Sequence, residues 1–303
     1  MAMLPFDDRD GYIWLNGEMV QWRDARVHVL THGLHYASSV FEGERVYNGA
    51  IFKRDAHHQR LYESADLMGF TIPYEIDVIN DAAARVIAAN NIENGYVRPV
   101  AWRGSEMMGV SAQKNSINVA IAAWEWPVYF SAEAIMKGIT MQIADWRRPA
   151  PDTAPVKSKA AGLYMICTLS KHKAEAAGYN DALMLDYRGR IAEASGANIF
   201  LVQNGEIHTP DPDCFLNGIT RQTVVALARE RGYTVRERAI MPEELAQTDE
   251  VFITGTAVEV TPVSMIDSYR FTVGPVTRDL MQAYDDLVQG RREQDSSSSV
   301  SAA

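Results

Sequence analysis

Apolar and polar positions alternate from Tyr12 to Trp22 (YIWLNGEMVQW) around Asn16-Gly17, and again from Phe41 to Arg54 (FEGERVYNGAIFKR) around Asn48-Gly49. Asn-Gly between alternating segments favours a tight two-residue turn, so these stretches predict four strands of one antiparallel sheet. The period then lengthens. Leu61, Ala65 and Met68 fall at helical spacing in a helix predicted over 56–68, and Val78, Ala82, Val86 and Ala89 do so over 77–91. Gly95 closes that unit before two apolar strands, 96–103 and 117–124. A short connection, 130–138, leads to a stretch in which strands and helices mix. It holds an extended approach marked by Pro149, Pro151 and Pro155, a helical run 160–177 stopped at Gly178, and a strand 198–202. Beyond these come a helix 221–231, a strand 250–253 and a last helix 275–290 behind Gly274-Pro275. The pattern predicts a mixed α/β chain of two domains, a small N-terminal one over 1–129 and a larger one over 139–290. The serine-rich tail 291–303 lacks bulky apolar residues and reads as disordered.

Composition narrows the function classes. With 303 residues and 47% hydrophobic content, the chain can bury two cores. A net charge of −10 argues against nucleic acid or an anionic membrane as partner, so anionic small molecules would need a local positive patch. Two cysteines, Cys167 and Cys214, give no disulfide framework. With no apolar stretch of signal or membrane-spanning length, a cytoplasmic protein is expected.

The candidate chemistry gathers between Val156 and Phe200 and in two downstream loops. Lys159 stands where the extended approach turns into a helix, a corner that can aim one amine into a cavity for Schiff-base formation; Lys157, two residues away, is a rival. Glu193 follows the turn Tyr187-Arg188-Gly189-Arg190 and precedes the strand from Asn198. A carboxylate there would hold the ring proton that pyridoxal phosphate needs to act as an electron sink. Asn217-Gly218-Ile219-Thr220 opens a helix and Thr254-Gly255-Thr256-Ala257 ends a strand. Each offers backbone amides to an anion, although a helix cap or a strand end also explains such residues. Two clusters point elsewhere. His28, His32 and His35 have ligand-like spacing, but no cysteine or acid completes a zinc set and Gly33 interrupts the helix that would align them, so no metal is expected. Tyr96, Trp124, Trp126 and Tyr129 could stack on nucleobases, but in an acidic chain they read as core or pocket wall.

Taken together, HYASSVFEGERVY, HHQRL, YVRP, KSKAAGLY, EASGANIF, NGITR and GTAVEVTP run in the order found in one family. The chain resembles the class IV (fold type IV) pyridoxal-phosphate aminotransferases, and within them the branched-chain amino-acid aminotransferases, from about Gly11 to Leu287. The resemblance implies a small α/β domain and a larger, barrel-like mixed-sheet domain with helices. Lys159 then holds the Schiff-base position in preference to Lys157. It also implies Glu193 at the pyridine nitrogen, Tyr164 at the ring hydroxyl, and Arg60, Ile219, Thr220 and Thr256 at the phosphate. Substrate is expected against Tyr36, Phe41, Tyr96, Arg98, Trp126, Tyr129, Thr256 and Ala257, with Arg98 taking the distal carboxylate of glutamate or 2-oxoglutarate.

The implied activity moves the amino group of leucine, isoleucine or valine to 2-oxoglutarate in a homodimer or larger homo-oligomer. D-amino-acid aminotransferases, (R)-selective amine transaminases and aminodeoxychorismate lyases share the fold, and a silent binding module on it is the reading from another class. The loop Glu106 to Val110 has no placement from sequence.

Overall fold

The computed structural model describes residues 4–126 and 136–291. The chain divides into two compact units, Met1–Pro127 with Pro155–Met165, and Val128–Ala154 with Ile166–Ala303.

In the first unit the two Asn-Gly turns form as the alternation predicts, with both residues of each at positive φ: Asn16 +48°, Gly17 +101°, Asn48 +51° and Gly49 +78°. They join β1 (Tyr12–Leu15) to β2 (Glu18–Gln21) and β4 (Glu44–Tyr47) to β5 (Ala50–Ile51). Between the hairpins lie a short helix α1 (His32–Tyr36) and β3 (Ser39–Phe41). Helices α2 (Arg54–Leu67) and α3 (Ile76–Ala89) and the long strands β6 (Gly95–Arg103) and β7 (Ile117–Glu125) follow. The antiparallel sheet runs β2-β1-β7-β6-β4-β5, with β3 sharing β6's edge with β4. Between β3 and β4 the chain breaks step at Glu42-Gly43, and the Glu42 amide donates to the Pro99 carbonyl at 2.9 Å.

The core packs Trp14, Val40, Val46, Val97 and Ile121 of the strands with Leu61 and Ala65 of α2 and Ile79, Ala82 and Val86 of α3. Two of the four positions predicted for the core face of α3, Ala82 and Val86, are buried. Ile79, Ala83 and Ile87 are buried, whereas Val78 and Ala89 are exposed, because the helix turns its two-residue-wide stripe toward the sheet.

The segment Pro155–Met165 belongs by its contacts to this first unit, whereas the sequence pattern puts it with 139–290. Four contacts tie it down. Ala160 bridges Val40, the Phe41 amide donates to the Lys159 carbonyl at 3.2 Å, and Ser64 on α2 receives the Ser158 hydroxyl and the Lys159 amide at 3.0 Å each. The helix expected over 160–177 is two elements, a 3-10 turn Ala161–Tyr164 and α4 (Met165–Ala176), with Gly178 at φ +87° ending it.

The second unit holds β8 (Ile139–Arg148), β9 (Asp181–Asp186), β10 (Ile191–Ala194), β11 (Asn198–Gln203) and β12 (Glu206–Thr209) before the helix α5 (Ile219–Glu230). Then come β13 (Val235–Glu237), β14 (Glu250–Gly255), β15 (Glu259–Ile266), β16 (Tyr269–Arg270) and the helix α6 (Pro275–Val288). The sheet order is β10-β9-β8-β15-β14-β11-β12-β13, with β16 on β15. Because β10 also pairs with β11, at Glu193 opposite Asn198, six strands close into a barrel. One face of these strands contributes Leu183, Ile199, Leu201, Val251, Ile253 and Val263 to a single core. On the alternate positions Phe200 and Phe252 stack at 4.9 Å, and α5 and α6 lie against β14.

A barrel residue holds the start of α6. Gly274, the N-cap, has no side chain to offer, and Glu250 on β14 accepts the Val276 amide at 3.3 Å and the Thr277 amide at 2.8 Å. A Cβ at position 274 would lie 2.2 Å from Glu250 Oε1, so this cap requires glycine. Glu250→Ala leaves two buried amides without an acceptor and should cost about 3 kcal/mol, read as a fall of several degrees in Tm. Glu243→Ala, at an exposed acid, should change stability by less than about 0.5 kcal/mol.

Candidate active site

In the first unit Lys159 is half-buried while Lys157 is exposed. The pinned backbone at Ser64 and the 3-10 turn bring Tyr164 back toward the lysine, whose Nζ donates to the Tyr164 hydroxyl at 2.8 Å. No acid pairs with this amine among the described residues, and it lies 5.1 Å from the centre of the Phe41 ring. Phe41 in turn touches Tyr164 at 4.9 Å. The Arg98 guanidinium lies over the same strip, 4.8 Å from the Phe41 centroid and 5.5 Å from that of Tyr96. Tyr96 continues into Trp126 at 4.9 Å and Trp124 at 5.3 Å. The result is one aromatic strip with an amine near one end and an arginine in its middle. Arg98 Nε is buried with no partner among the described residues. Gly43 makes room for the strip, since a Cβ there would sit 1.9 Å from the Tyr96 hydroxyl.

Arg60 points into a different arrangement. Its Nε and Nη2 donate to Glu42 Oε1 and Oε2 at 2.6 and 2.9 Å, and His57 Nδ1 reaches the same Oε2 at 2.7 Å. Burial of Glu42 favours its neutral form. The Arg60 charge, then the His57 and Arg60 hydrogen bonds, outweigh that and hold the carboxyl far below the usual range.

Tyr36 is exposed at the end of α1, stacked on His32, and donates to the Met108 carbonyl at 3.1 Å. His32 Nε2 reaches the Gly109 carbonyl at 3.0 Å, so α1 places the loop 106–110 that the sequence leaves open. Each histidine of the cluster makes a hydrogen bond of its own, His32 Nδ1 with Ser38, His35 Nε2 with the Val29 carbonyl, and His28 Nδ1 with the Leu30 amide. Tyr129 lies outside the described residues.

In the second unit Glu193 is buried in β10, the strand that follows the 187–190 turn and pairs back onto β9. Its Oε1 lies 3.2 Å from Arg148 Nε and its Oε2 accepts from Asn198 Nδ2 at 3.4 Å. Arg148, at the end of β8, also donates to Cys167 Sγ at 3.4 Å. Burial and then the Glu193 charge push the Cys167 thiol up to about 11, which keeps it protonated. Asn198 also accepts the Gly218 amide at 3.1 Å and donates to the Leu216 carbonyl at 3.0 Å. Gly218 is the N-cap of α5, with no side-chain cap, and Ile219 and Thr220 lie in the first helical turn rather than ahead of it. A Cβ at 218 would come within 2.3 Å of Asn198 Oδ1.

The neighbouring Arg221 is spent below the loop, on Asn217, the Pro210 carbonyl and Glu237. Asn198 faces Thr254 across the sheet, and the Thr256-Ala257 turn follows directly, with Ala257 exposed. Arg148, Asn198 and Gly43 are not marked in the sequence. Each acts through a neighbour distant in the fold's local pattern and carries no periodicity or spacing that would single it out.

The two sets are thus an amine on a phenol beside an aromatic strip, and a buried carboxylate linked by one asparagine to an uncapped helix start. Comparison with known proteins gives them a context. The profile of the amino-transferase class IV family matches residues 39–266. The branched-chain-amino-acid aminotransferase of Pseudomonas aeruginosa is 44% identical over 293 residues, spanning 94% of this chain and 95% of that protein. The structure of the T.th. branched-chain amino acid aminotransferase with pyridoxamine 5′-phosphate superposes with a TM-score of 0.92 at 40% identity, covering 94% of this chain and 96% of that one. The same enzyme complexed with N-(5′-phosphopyridoxyl)-L-glutamate gives a TM-score of 0.90 at 39% identity and the same coverage. The chain belongs to the class IV aminotransferases, within their branched-chain-amino-acid aminotransferase family.

Proposed function

We propose that this protein moves the amino group of L-leucine, L-isoleucine or L-valine to 2-oxoglutarate, yielding branched-chain 2-oxo acids and L-glutamate, with pyridoxal 5′-phosphate held on Lys159. The observation that carries the proposal is the Lys159 amine, donated at 2.8 Å to a phenol and free of any acid among the described residues. Each unit carries donors of the kind the cofactor needs. Besides the amine and the Tyr164 phenol for the ring hydroxyl there is a buried carboxylate, Glu193, for the ring nitrogen. The uncapped α5 start at Ile219 and Thr220, with Arg60 and Thr256, would hold the phosphate. When bound, the cofactor supplies an aldehyde for the amine and an electron-poor ring that accepts carbanion charge.

The chain's own groups do the rest. Tyr164 would orient the amine, and Lys159 would act as the base that takes the proton from the amino acid's α-carbon and delivers it to the cofactor within the same half-reaction. Arg148 and Asn198 hold the Glu193 carboxyl in place, where it would meet the ring nitrogen. Amides at Thr256 and Ala257, with the Tyr96 hydroxyl, are assigned to the α-carboxylate. Phe41 and Trp126, with Tyr36 and Tyr129, are assigned to the side-chain wall, where each methylene discriminates by about 1 to 3 kcal/mol. Arg98, whose Nε has no partner among the described residues, takes the distal carboxylate of the second substrate by a charge-assisted bond.

The same reading extends to assembly and location. Val27, Val29, Leu30, Leu34, Met107 and Val110 are exposed, Val110 by 83%, on two segments that α1 ties together. A patch of this kind supports a homodimer that covers it. Cys167 and Cys214 are buried and form no disulfide, which fits the cytoplasm; no helix among the described residues is long and apolar enough to cross a membrane.

Lys159→Ala should abolish transamination and the visible absorption of the bound cofactor, while Lys157→Ala should be mild; exchanged outcomes would break the assignment. Arg98→Ala should weaken the 2-oxoglutarate half-reaction by about 2 to 4 kcal/mol in kcat/KM and the leucine half-reaction much less. Single-turnover rates decide this, and equal losses would remove the dual role. A Leu34→Glu, Val110→Glu double variant should run at half the parent mass in light scattering. An unchanged mass would place the interface elsewhere.

A further inference from the structure

Glu42 sits at the break between β3 and β4 with no exposed surface, and both of its oxygens are engaged. Oε1 takes Arg60 Nε, while Oε2 takes Arg60 Nη2, His57 Nδ1 and, at 3.2 Å, the Gly43 amide. His57 and Arg60 are three residues apart on α2, so both project from one face of the helix onto this carboxylate. The forked pair consumes the Nε and Nη2 edge of the guanidinium. Nη1 keeps no hydrogen-bond partner among the described residues, and the Arg60 side chain retains 15% of its exposure. A guanidinium fixed along one edge has its plane and direction set before any ligand arrives, which removes most of the rotamer entropy that a free arginine loses on binding an anion.

We propose that Glu42 and His57 are positioning residues for the cofactor phosphate, holding Arg60 so that its remaining edge meets the anion. The inference builds on the reading of Arg60 as a phosphate ligand given above. The Glu42 charge opposes an incoming anion, and the His57 and Gly43 donors offset it by drawing on the oxygen that Arg60 engages less closely. Glu42 thus contributes direction to Arg60, while the donors around it limit the loss of attraction.

The alternative is a purely structural ion pair, whose breaking would lower stability without a specific effect on phosphate. The two separate in the rate at which full-length holoenzyme loses cofactor after dilution into cofactor-free buffer, followed by visible absorbance. Glu42→Gln, which keeps the shape and removes the charge, should speed loss of pyridoxal phosphate at least 10-fold. His57→Gln should speed it by a smaller factor, about 3-fold, an expectation scaled from one neutral hydrogen bond. Arg60→Met should act as strongly as Glu42→Gln, and the double variant should be no faster than Arg60→Met alone. Enzyme loaded with pyridoxal, which lacks the phosphate, should lose it at the same rate in parent and Glu42→Gln.

Equal acceleration for pyridoxal and pyridoxal phosphate, or effects that multiply fully in the double variant, would overturn the positioning role. So would unchanged rates in both Glu42→Gln and His57→Gln. An Arg60→Met variant that retains cofactor like the parent would instead overturn the phosphate role of Arg60 itself, while leaving the assignment of Lys159 intact.

Discussion

A carboxylate taken out of water costs several kcal/mol unless a cation or a set of donors meets it, and this chain buries Glu42, Glu44, Glu193 and Glu250. Each is met by a different device. Glu250 receives the first amides of α6, Glu193 an arginine and an asparagine, and Glu42 an arginine, a histidine and an amide. Glu44 lies 3.3 Å from His58 Nε2, and His58 Nδ1 meets Asn80. Burial disfavours the charge on His58, but the Glu44 bond and charge outweigh it and raise the histidine above 6.5. The pH signatures of the two acids that face α2 therefore differ. Glu42, depressed below 4.5, contributes stability above that value and loses it as pH falls through its depressed pKa; the His58 contribution is complete below 6.5 and fades as pH rises through the raised one.

In the second unit the same requirement acts where the barrel closes. The ring closes where β10 meets β11, and the residues opposite each other at that closure are Glu193 and Asn198. The Asn198 amide then uses both ends: its nitrogen serves Glu193 and the Leu216 carbonyl, and its oxygen takes the Gly218 amide. Aspartate could not donate there and leucine could do neither. One side chain thereby fixes the acid and the start of α5 relative to each other, and Gly218 must lack a Cβ to let it in.

Much of this is legible in the chain, for stated reasons. The Asn-Gly turns are local, and both hairpins form around them. Lys159 is chosen over Lys157 by the resemblance alone: two residues apart, the two share one side of the extended approach, and their difference in exposure emerges only in the fold. The α3 face is read rightly at Ala82 and Val86 but not at Val78 and Ala89, because alanine contributes little contrast to a helical stripe, so Val78 and Ile79 look equally suited to the core. Arg148 and Asn198 are invisible for another reason: their shared partner lies 45 and 5 residues away on a strand whose pairing no local pattern reveals. Arg60 is legible as a residue but not in its setting, since Glu42 reads as one more polar position in an alternating strand until the step at Glu42-Gly43 turns it inward.

Two arginines of the first unit show how the setting of a cation suits the ligand it serves. Arg60 is bonded edge-on to a carboxylate, so its charge stays compensated whether or not an anion is bound, and what it offers is direction. Arg98 has no acid partner among the described residues and lies over the faces of Phe41 and Tyr96, where the ring quadrupoles offset roughly 1 to 2 kcal/mol of its burial. On the proposed reading the first serves a phosphate that stays through the cycle, and the second a carboxylate that is present in one half-reaction and absent in the other. An acid beside Arg98 would compete with the substrate for the guanidinium in the first half and gain nothing in the second. Aromatic faces compensate the charge without occupying its donors, which leaves Nε available when a dicarboxylate arrives and tolerable when leucine takes its place.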